Sequence, residues 1–149
     1  RIAEDFKLST GTFVSVGPMR AKAIMAGSPY VQDVVLTGLN MKEVGALIFP
    51  APACREVSGL GADASMNEVL ASTPVRQRIQ AIIDQLARES TGSASRIARA
   101  LVLAEPPSPV LGEITDKGSV NQRAVLKHRA ALVDALHDGS ATGIYTPQA

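Results

Sequence analysis

The fold is decided by two neighbouring runs of the sequence, VQDVVLT at residues 31–37 and VGALIF at residues 44–49. Both runs are rich in β-branched and large apolar residues, which favour strands. Gly38, Leu39 and Asn40 lie between them and predict a short connection. The second run is apolar at nearly every position, which indicates a strand buried on both faces. We therefore predict a sheet with residues 44–49 at its centre.

The residues before this pair predict a hairpin followed by a helix. Residues 5–8 and 13–16 are short strand-like runs, and Gly11 between them can adopt the positive φ that a tight reversal needs. Residues 17–18, Gly-Pro, open a helix because proline is tolerated in a first turn, and residues 27–29, Gly-Ser-Pro, stop it.

The residues after the pair predict a loop, two helices and a third strand. Residues 50–64 lack periodicity and predict the loop, and Ser65 and Glu68 have the spacing of a capping box for a short helix. Thr73 caps a longer helix that ends before Gly92. One face of this helix is apolar and predicted to be core: Val75, Ile79, Ile82, Ile83 and Leu86. The ambiguous run at residues 97–104 is assigned to a strand because prolines follow it at once.

The last helix begins at Asn121, a good cap, and ends near His137, with an inward face of Val125, Leu132, Val133 and Leu136. Together the elements predict the α+β class: a small mixed sheet with a leading β-hairpin, flanked by three or four helices. A chain of 149 residues has the size of one ordinary domain. We expect a single domain over residues 1–149, in which residues 139–149 form a loose tail.

Composition excludes several classes of protein. The formal net charge of +1 gives no electrostatic basis for binding nucleic acid, and the longest apolar run, residues 44–53, is too short to span a membrane. The single cysteine, Cys54, cannot form an intrachain disulfide, and no charged-then-apolar leader precedes the ordered-looking sequence. The sequence therefore predicts a cytoplasmic protein that binds neither nucleic acid nor membrane.

A self-contained active site is not evident in the sequence. No phosphate-binding glycine loop, nucleophile elbow or pair of Cys or His at metal spacing occurs, so no metal site is predicted. Cys54 is either a thiolate assisted by Arg55 or inert packing, and packing is the favoured interpretation. His128 and His137 are interpreted as surface residues. Aromatic residues make up 3% of the chain, too few to furnish the walls of a typical ligand pocket.

Two basic features remain. Arg123, Lys127, His128 and Arg129 give the last helix a basic face, which is either a phosphate-binding surface or, as we favour, a solvated helix face. Lys117 lies in a polar segment after a proline-rich loop, a pattern that displays a long cationic side chain at a loop tip. By physics alone, an ordinary exposed lysine is the favoured interpretation.

The two ends of the chain resemble the C-terminal lid domain of the adenylate-forming acyl-CoA ligases, and in detail its feruloyl-CoA synthase branch. The resemblance rests on three strings: RIAEDFKLSTGTFV at residues 1–14, the strand pair at residues 31–47, and EITDKGSVNQR at residues 113–123. In the wider superfamily a glycine precedes and an aliphatic residue follows the motif lysine, where this chain has Asp116 and Gly118.

The resemblance implies an ATP-dependent aromatic acid:CoA ligase whose large N-terminal domain binds ATP and the acid, with Mg²⁺ bound through ATP in that domain. Lys117 matches the lysine that acts in adenylation. Ser9, Thr10 and Gly11 match the loop brought to the site for thioester formation with CoA, and Arg1 matches an arginine near the nucleotide. The hinge falls on Ala3 or Glu4. This chain alone is expected to be inactive. Two alternatives are the lid of a related ligase for another aryl or fatty acid and a stand-alone α+β binding or interaction module whose basic last helix contacts a partner.

Overall fold

A computed structural model describes residues 4–92 and 94–148 and confirms the α+β class, with a small hairpin and a mixed sheet. The described residues form five strands and six helices. In chain order they are β1 (Phe6–Lys7), β2 (Phe13–Val14), α1 (Val16–Gly27), β3 (Val31–Thr37), β4 (Val44–Pro50), α2 (Ala53–Ser58), α3 (Met66–Ala71), α4 (Thr73–Arg88), β5 (Ile97–Val102), α5 (Gln122–His128) and α6 (Ala130–Asp138).

The sheet has the strand order β3-β4-β5, and β4 is its central strand as predicted. β3 runs antiparallel to β4, with Val34 opposite Ile48, and β5 runs parallel to β4, with Leu101 opposite Leu47. Helices cover both faces, because one apolar cluster joins the sheet to α1 and α4 and a second joins it to α5 and α6. This double coverage explains why β4 is apolar at nearly every position.

The predicted loop at residues 50–64 is wrong in part, because α2 occupies Ala53–Ser58. Pro52 precedes this helix with helical backbone angles (φ −56°, ψ −27°), and Gly59 ends it in the left-handed conformation (φ +74°). A fixed proline φ suits a helix start and glycine suits its end, so the residues that suggested a loop instead frame a short helix.

The predicted last helix is two helices, because Arg129 interrupts it with non-helical angles (φ −112°, ψ 31°). This break raises the number of helices above the expected three or four. Asn121 caps α5 as predicted, since its side chain accepts a hydrogen bond from the Ala124 N–H. Leu132, predicted to face inward, is 37% exposed. Ser72, not Thr73, is the N-cap of α4.

The C-terminal segment differs from the expected loose tail at Tyr145. This residue is buried, and its backbone N–H and C=O both hydrogen-bond to Ala100 at the free edge of β5, at 2.8 and 2.9 Å. The Arg76 guanidinium lies 4.4 Å from the centre of the Tyr145 ring. The attachment continues beyond Tyr145, because Gln80 donates to the Thr146 carbonyl and the Gln148 N–H donates to Asp84, both at 2.8 Å. Within residues 4–92 and 94–148, no helix combines the length and apolar character needed to cross a bilayer.

Candidate functional site

Lys117 lies exposed near the tip of a small hairpin formed by residues 114–120. The Thr115 N–H donates to the Ser119 carbonyl at 2.8 Å, and the Gly118 N–H donates to the Thr115 carbonyl at 2.9 Å. Gly118 has φ +85°, a left-handed conformation that an aliphatic side chain adopts only with strain. This turn explains why glycine follows Lys117 in this chain.

The base of the Lys117 hairpin is fixed by Glu113, which is 1% exposed. Its carbonyl accepts from the Asn121 N–H at 2.7 Å, so Glu113 pairs across the base of the hairpin. Its carboxylate accepts from the Ser108 N–H at 2.8 Å and from Arg129 at 2.9 and 3.2 Å. The backbone and the side chain of one residue therefore hold both the hairpin and the loop that leads into it.

Arg129 supplies the other half of this buried ion pair. Its guanidinium also donates to the carbonyls of Glu105 and Pro106, at 2.9 and 2.8 Å, and lies 5.1 Å from the centre of the Phe49 ring. Arg129 is 9% exposed, so its assignment to a solvated basic face is wrong. The hydrogen bonds from Arg129 hold the pKa of the Glu113 carboxyl below its ordinary value, against the effect of burial.

The far side of the hairpin is fixed to β3. The Val120 N–H donates to Asp33 Oδ2 at 2.9 Å, and Arg20 bridges Asp33 Oδ1 and the Val120 carbonyl at 2.8 and 3.1 Å. Two residues further on, the Gln122 side-chain amide hydrogen-bonds to the backbone N–H and C=O of Leu36, at 3.0 and 2.6 Å. Lys117 is therefore a free side chain on a backbone that is held from both sides.

The buried ion pair predicts an acid-dependent loss of stability. Because the folded pKa of Glu113 lies below the unfolded value of about 4.3, the pair stabilises the fold above that pH, and the contribution is lost as pH falls through the folded pKa. We expect the wild-type chain to lose more unfolding free energy than the double variant Glu113→Leu/Arg129→Met between about pH 6 and pH 3. Urea denaturation across this range measures both. Parallel curves would contradict the prediction, since the other carboxyls are common to both proteins.

The first hairpin uses the same turn as the Lys117 hairpin. The Leu8 N–H donates to the Thr12 carbonyl, and the Gly11 N–H donates to the Leu8 carbonyl, both at 2.9 Å. Gly11 has φ +88°, and a Cβ built on it would have no neighbour within 4 Å. Ser9 and Thr10 are exposed in the turn, and the Ser9 N–H donates to the Met41 carbonyl at 2.7 Å. Gly11 therefore presents bare backbone to open space.

The two hairpins do not form one site. The chain passes from Val120, beside Asp33, to Gln122, beside Leu36, so the Lys117 hairpin lies at the beginning of β3. The first hairpin contacts Met41, beyond the end of the same strand. The sequence-predicted residues Lys117 and Gly11 are thus carried at opposite ends of the sheet. Arg1 and Ala3 lie outside the described residues, and Glu4 is half-buried.

The cysteine and histidines have different environments. Cys54 is buried, its thiol donates to the Tyr30 carbonyl at 3.2 Å, and burial raises its pKa, all of which fits the packing interpretation. His128 is exposed, as interpreted. His137 is not a surface residue: it is half-buried, its Nε2 lies 2.6 Å from Thr37 Oγ1, and burial lowers its pKa.

Sequence reasoning missed the residues that hold the Lys117 hairpin: Glu113, Arg129, Asp33, Arg20 and Gln122. One signal was present, because Asp33 is a single acidic residue within a buried strand, and a buried charge requires a partner. The ion pairs among these residues, and their hydrogen bonds to Leu36 and Val120, join positions that are 13 to 100 residues apart, and no local periodicity relates them.

Comparison with known proteins gives a family for most of the chain. Residues 6–141 match the family described as the AMP-binding enzyme C-terminal domain, and the protein belongs to that family. No curated protein matches the sequence at a significant level.

Two solved structures share the fold. The A domain of carboxylic acid reductase from Segniliparus rugosus, in complex with AMP and a co-purified carboxylic acid, is 21% identical with a TM-score of 0.69. The adenylation domain of a carboxylate reductase from Mycobacterium chelonae is 20% identical with a TM-score of 0.61. These matches cover 95% and 91% of this chain, but 21% and 19% of the solved chains.

Proposed function

We propose that this chain is the mobile lid of an ATP-dependent aromatic acid:CoA ligase similar to feruloyl-CoA synthase. The observation that carries the proposal is the position of Lys117, an exposed cation on a hairpin that is held from both sides. The partners in this proposal are an N-terminal domain of the same enzyme, an aromatic acid, ATP and CoA. Mg²⁺ enters with ATP in that domain, and the enzyme is cytoplasmic.

Lys117 acts in adenylation as an electrostatic clamp. An ammonium placed against the acid carboxylate and the nucleotide oxygens holds the attacking oxygen in line with the α-phosphate. It also stabilises the charge that develops as pyrophosphate leaves. This role needs a fixed backbone and a long side chain, and the Lys117 hairpin provides both. No proton transfer by Lys117 is involved.

The loop of Ser9, Thr10 and Gly11 acts in thioester formation. Because the two hairpins lie at opposite ends of β3, one orientation of the lid cannot present both to the same substrate. The lid therefore rotates between the half-reactions about a hinge at Ala3 or Glu4. The open space at Gly11 suits the passage of the pantetheine arm. By the same resemblance, Arg1 is proposed to act at the nucleotide.

A second candidate is the corresponding part of an acid reductase, because the structural matches are adenylation domains of such enzymes. Both candidates form an acyl-adenylate, and they differ in the reaction that consumes it. The test supplies the full-length enzyme with ATP and a panel of aryl and fatty acids, with either CoA or a nicotinamide hydride donor. We expect acyl-CoA from ferulate and related aryl acids. Formation of the aldehyde instead would contradict the ligase proposal.

The 149-residue chain alone is expected to fold and to form no acyl-CoA from ATP, ferulate and CoA. The physical reason is that the walls that bind ATP and the acid belong to the N-terminal domain in this proposal. The measurement is thioester formation by the purified chain, with the full-length enzyme as the positive control. Turnover by the chain alone would show that the proposed division of labour is wrong.

A further inference from the structure

We propose that Glu113 is a positioning residue for Lys117, acting through its ion pair with Arg129 to set where the hairpin tip lies. This inference rests on the proposed role of Lys117 in adenylation. It assigns a role in the reaction to a residue that cannot itself reach a substrate, because Glu113 is 1% exposed.

Glu113 is the junction of three segments of chain. Its backbone pairs with Asn121 across the hairpin base, and its N–H donates to the Ser108 carbonyl at 2.9 Å. Its carboxylate reaches the Ser108 N–H and the Arg129 guanidinium. Because Arg129 lies at the break between α5 and α6, the side chain of Glu113 ties the hairpin to the helical layer.

Arg129 also makes its hydrogen bonds at this junction. Its guanidinium donates to Glu113 and to the carbonyls of Glu105 and Pro106, and its side chain is 8% exposed. Removing the carboxylate therefore leaves a buried cation whose remaining acceptors lie at the start of the loop. The cation and the loop then rearrange, because an unpaired buried charge is costly.

A small shift at the base becomes larger at the tip. Lys117 is four positions after Glu113, so at most about 13 Å of chain, at about 3.3 Å per residue, joins the base to the tip. A small rotation of the base therefore moves the lysine by a substantial fraction of an ångström or more. A misplacement of about 1 Å can slow a reaction about 100-fold.

The test is Glu113→Gln in the full-length enzyme, measured by pyrophosphate exchange and by thioester formation from supplied acyl-adenylate. We expect adenylation to slow about 10-fold to 100-fold and thioester formation to be unchanged. The same substitution in a Lys117→Ala background should have no further effect on adenylation, because Glu113 acts through the lysine. Equal losses in both backgrounds would overturn the proposal, as would normal adenylation by folded Glu113→Gln.

Two further variants separate positioning from stability. The double variant Glu113→Leu/Arg129→Met removes both charges, and apolar replacement of a buried pair is often tolerated. The double variant should fold and still adenylate slowly. It provides the test if Glu113→Gln does not fold, because normal adenylation by the double variant would then overturn the proposal. Glu43→Gln is the matched control, because Glu43 pairs with Arg99 at 2.8 Å beyond the opposite end of β3. It should leave adenylation unchanged, and a loss equal to that of Glu113→Gln would overturn the proposal.

A failure of the positioning role of Glu113 can be distinguished from a failure of the proposed function of Lys117. If Lys117→Ala adenylates normally, the proposed function fails. If Lys117→Ala is slow and folded Glu113→Gln is normal, the positioning role alone fails.

Discussion

Replacing Lys117 with alanine in the full-length enzyme is expected to slow adenylation about 100-fold to 1,000-fold, or about 3 to 4 kcal/mol of barrier. Loss of one preorganised charge that stabilises a transition state typically has an effect of this size. Thioester formation from supplied acyl-adenylate should be nearly unaffected, since the proposed rotation of the lid carries Lys117 away from the reacting atoms. Pyrophosphate exchange measures the first half-reaction, and acyl-CoA release measures the second.

The stability of the Lys117→Ala variant should remain within about 0.5 kcal/mol of the wild type, because the side chain is exposed and its hairpin is held by other residues. Lys117→Arg should restore the rate only in part, since a planar guanidinium cannot replace a compact ammonium between two oxygens. Lys127→Ala, at another exposed lysine, is the matched control and should adenylate normally. Normal adenylation by Lys117→Ala would identify Lys117 as an ordinary surface lysine.

Replacing Gly11 with leucine should block thioester formation and leave most of the adenylation activity. This substitution has an effect on the stability of the domain and a separate effect on the path assigned to pantetheine. A Cβ at Gly11 meets no atom within 4 Å, so the folded domain has room for the side chain. The left-handed backbone (φ +88°) costs a non-glycine residue about 1 to 2 kcal/mol. The side chain would obstruct the path assigned to pantetheine, and separate assays of the two half-reactions measure this.

Gly59→Leu is the control for backbone strain. Gly59 has φ +74° and no neighbour within 4 Å of a built Cβ, but it ends α2 and belongs to neither hairpin. We expect the two variants to lose similar unfolding free energy while only Gly11→Leu loses thioester formation. Equal loss of both half-reactions in Gly11→Leu would mean that Gly11 serves only to make the turn.

The parts of the fold that sequence predicts are those with local signals. The apolar run of β4, the helical spacing of Val75, Ile79 and Ile83 in α4, and the capping box of Ser65 all record local geometry and burial. Gly11 was assigned to a turn for the same reason, because one left-handed residue closes that hairpin. Each of these elements lies close to its predicted position.

The remaining features depend on contacts between distant residues. Arginine is a common residue on exposed helix surfaces, so Arg129 was assigned to one. Its guanidinium instead donates to acceptors in the loop at residues 105–113, and the helix is interrupted at Arg129. Tyr145 lies in a glycine-rich segment and pairs with Ala100, which is 45 residues away in the sequence. The placement of Lys117 on an exposed tip was predicted, whereas the Glu113 anchor required the structure.

The pairing at the outer strands bears on how the proposed lid avoids association with other chains. An unpaired strand edge is a template for association with other chains. Here the side-chain amide of Gln122 hydrogen-bonds to the backbone of Leu36 on β3, and the backbone of Tyr145 hydrogen-bonds to the backbone of Ala100 on β5. In the proposed enzyme, a lid that rotates between the half-reactions can therefore turn without presenting these positions to a neighbouring molecule. The side chain and the backbone that pair there also fasten the segments that follow the Lys117 hairpin and α6.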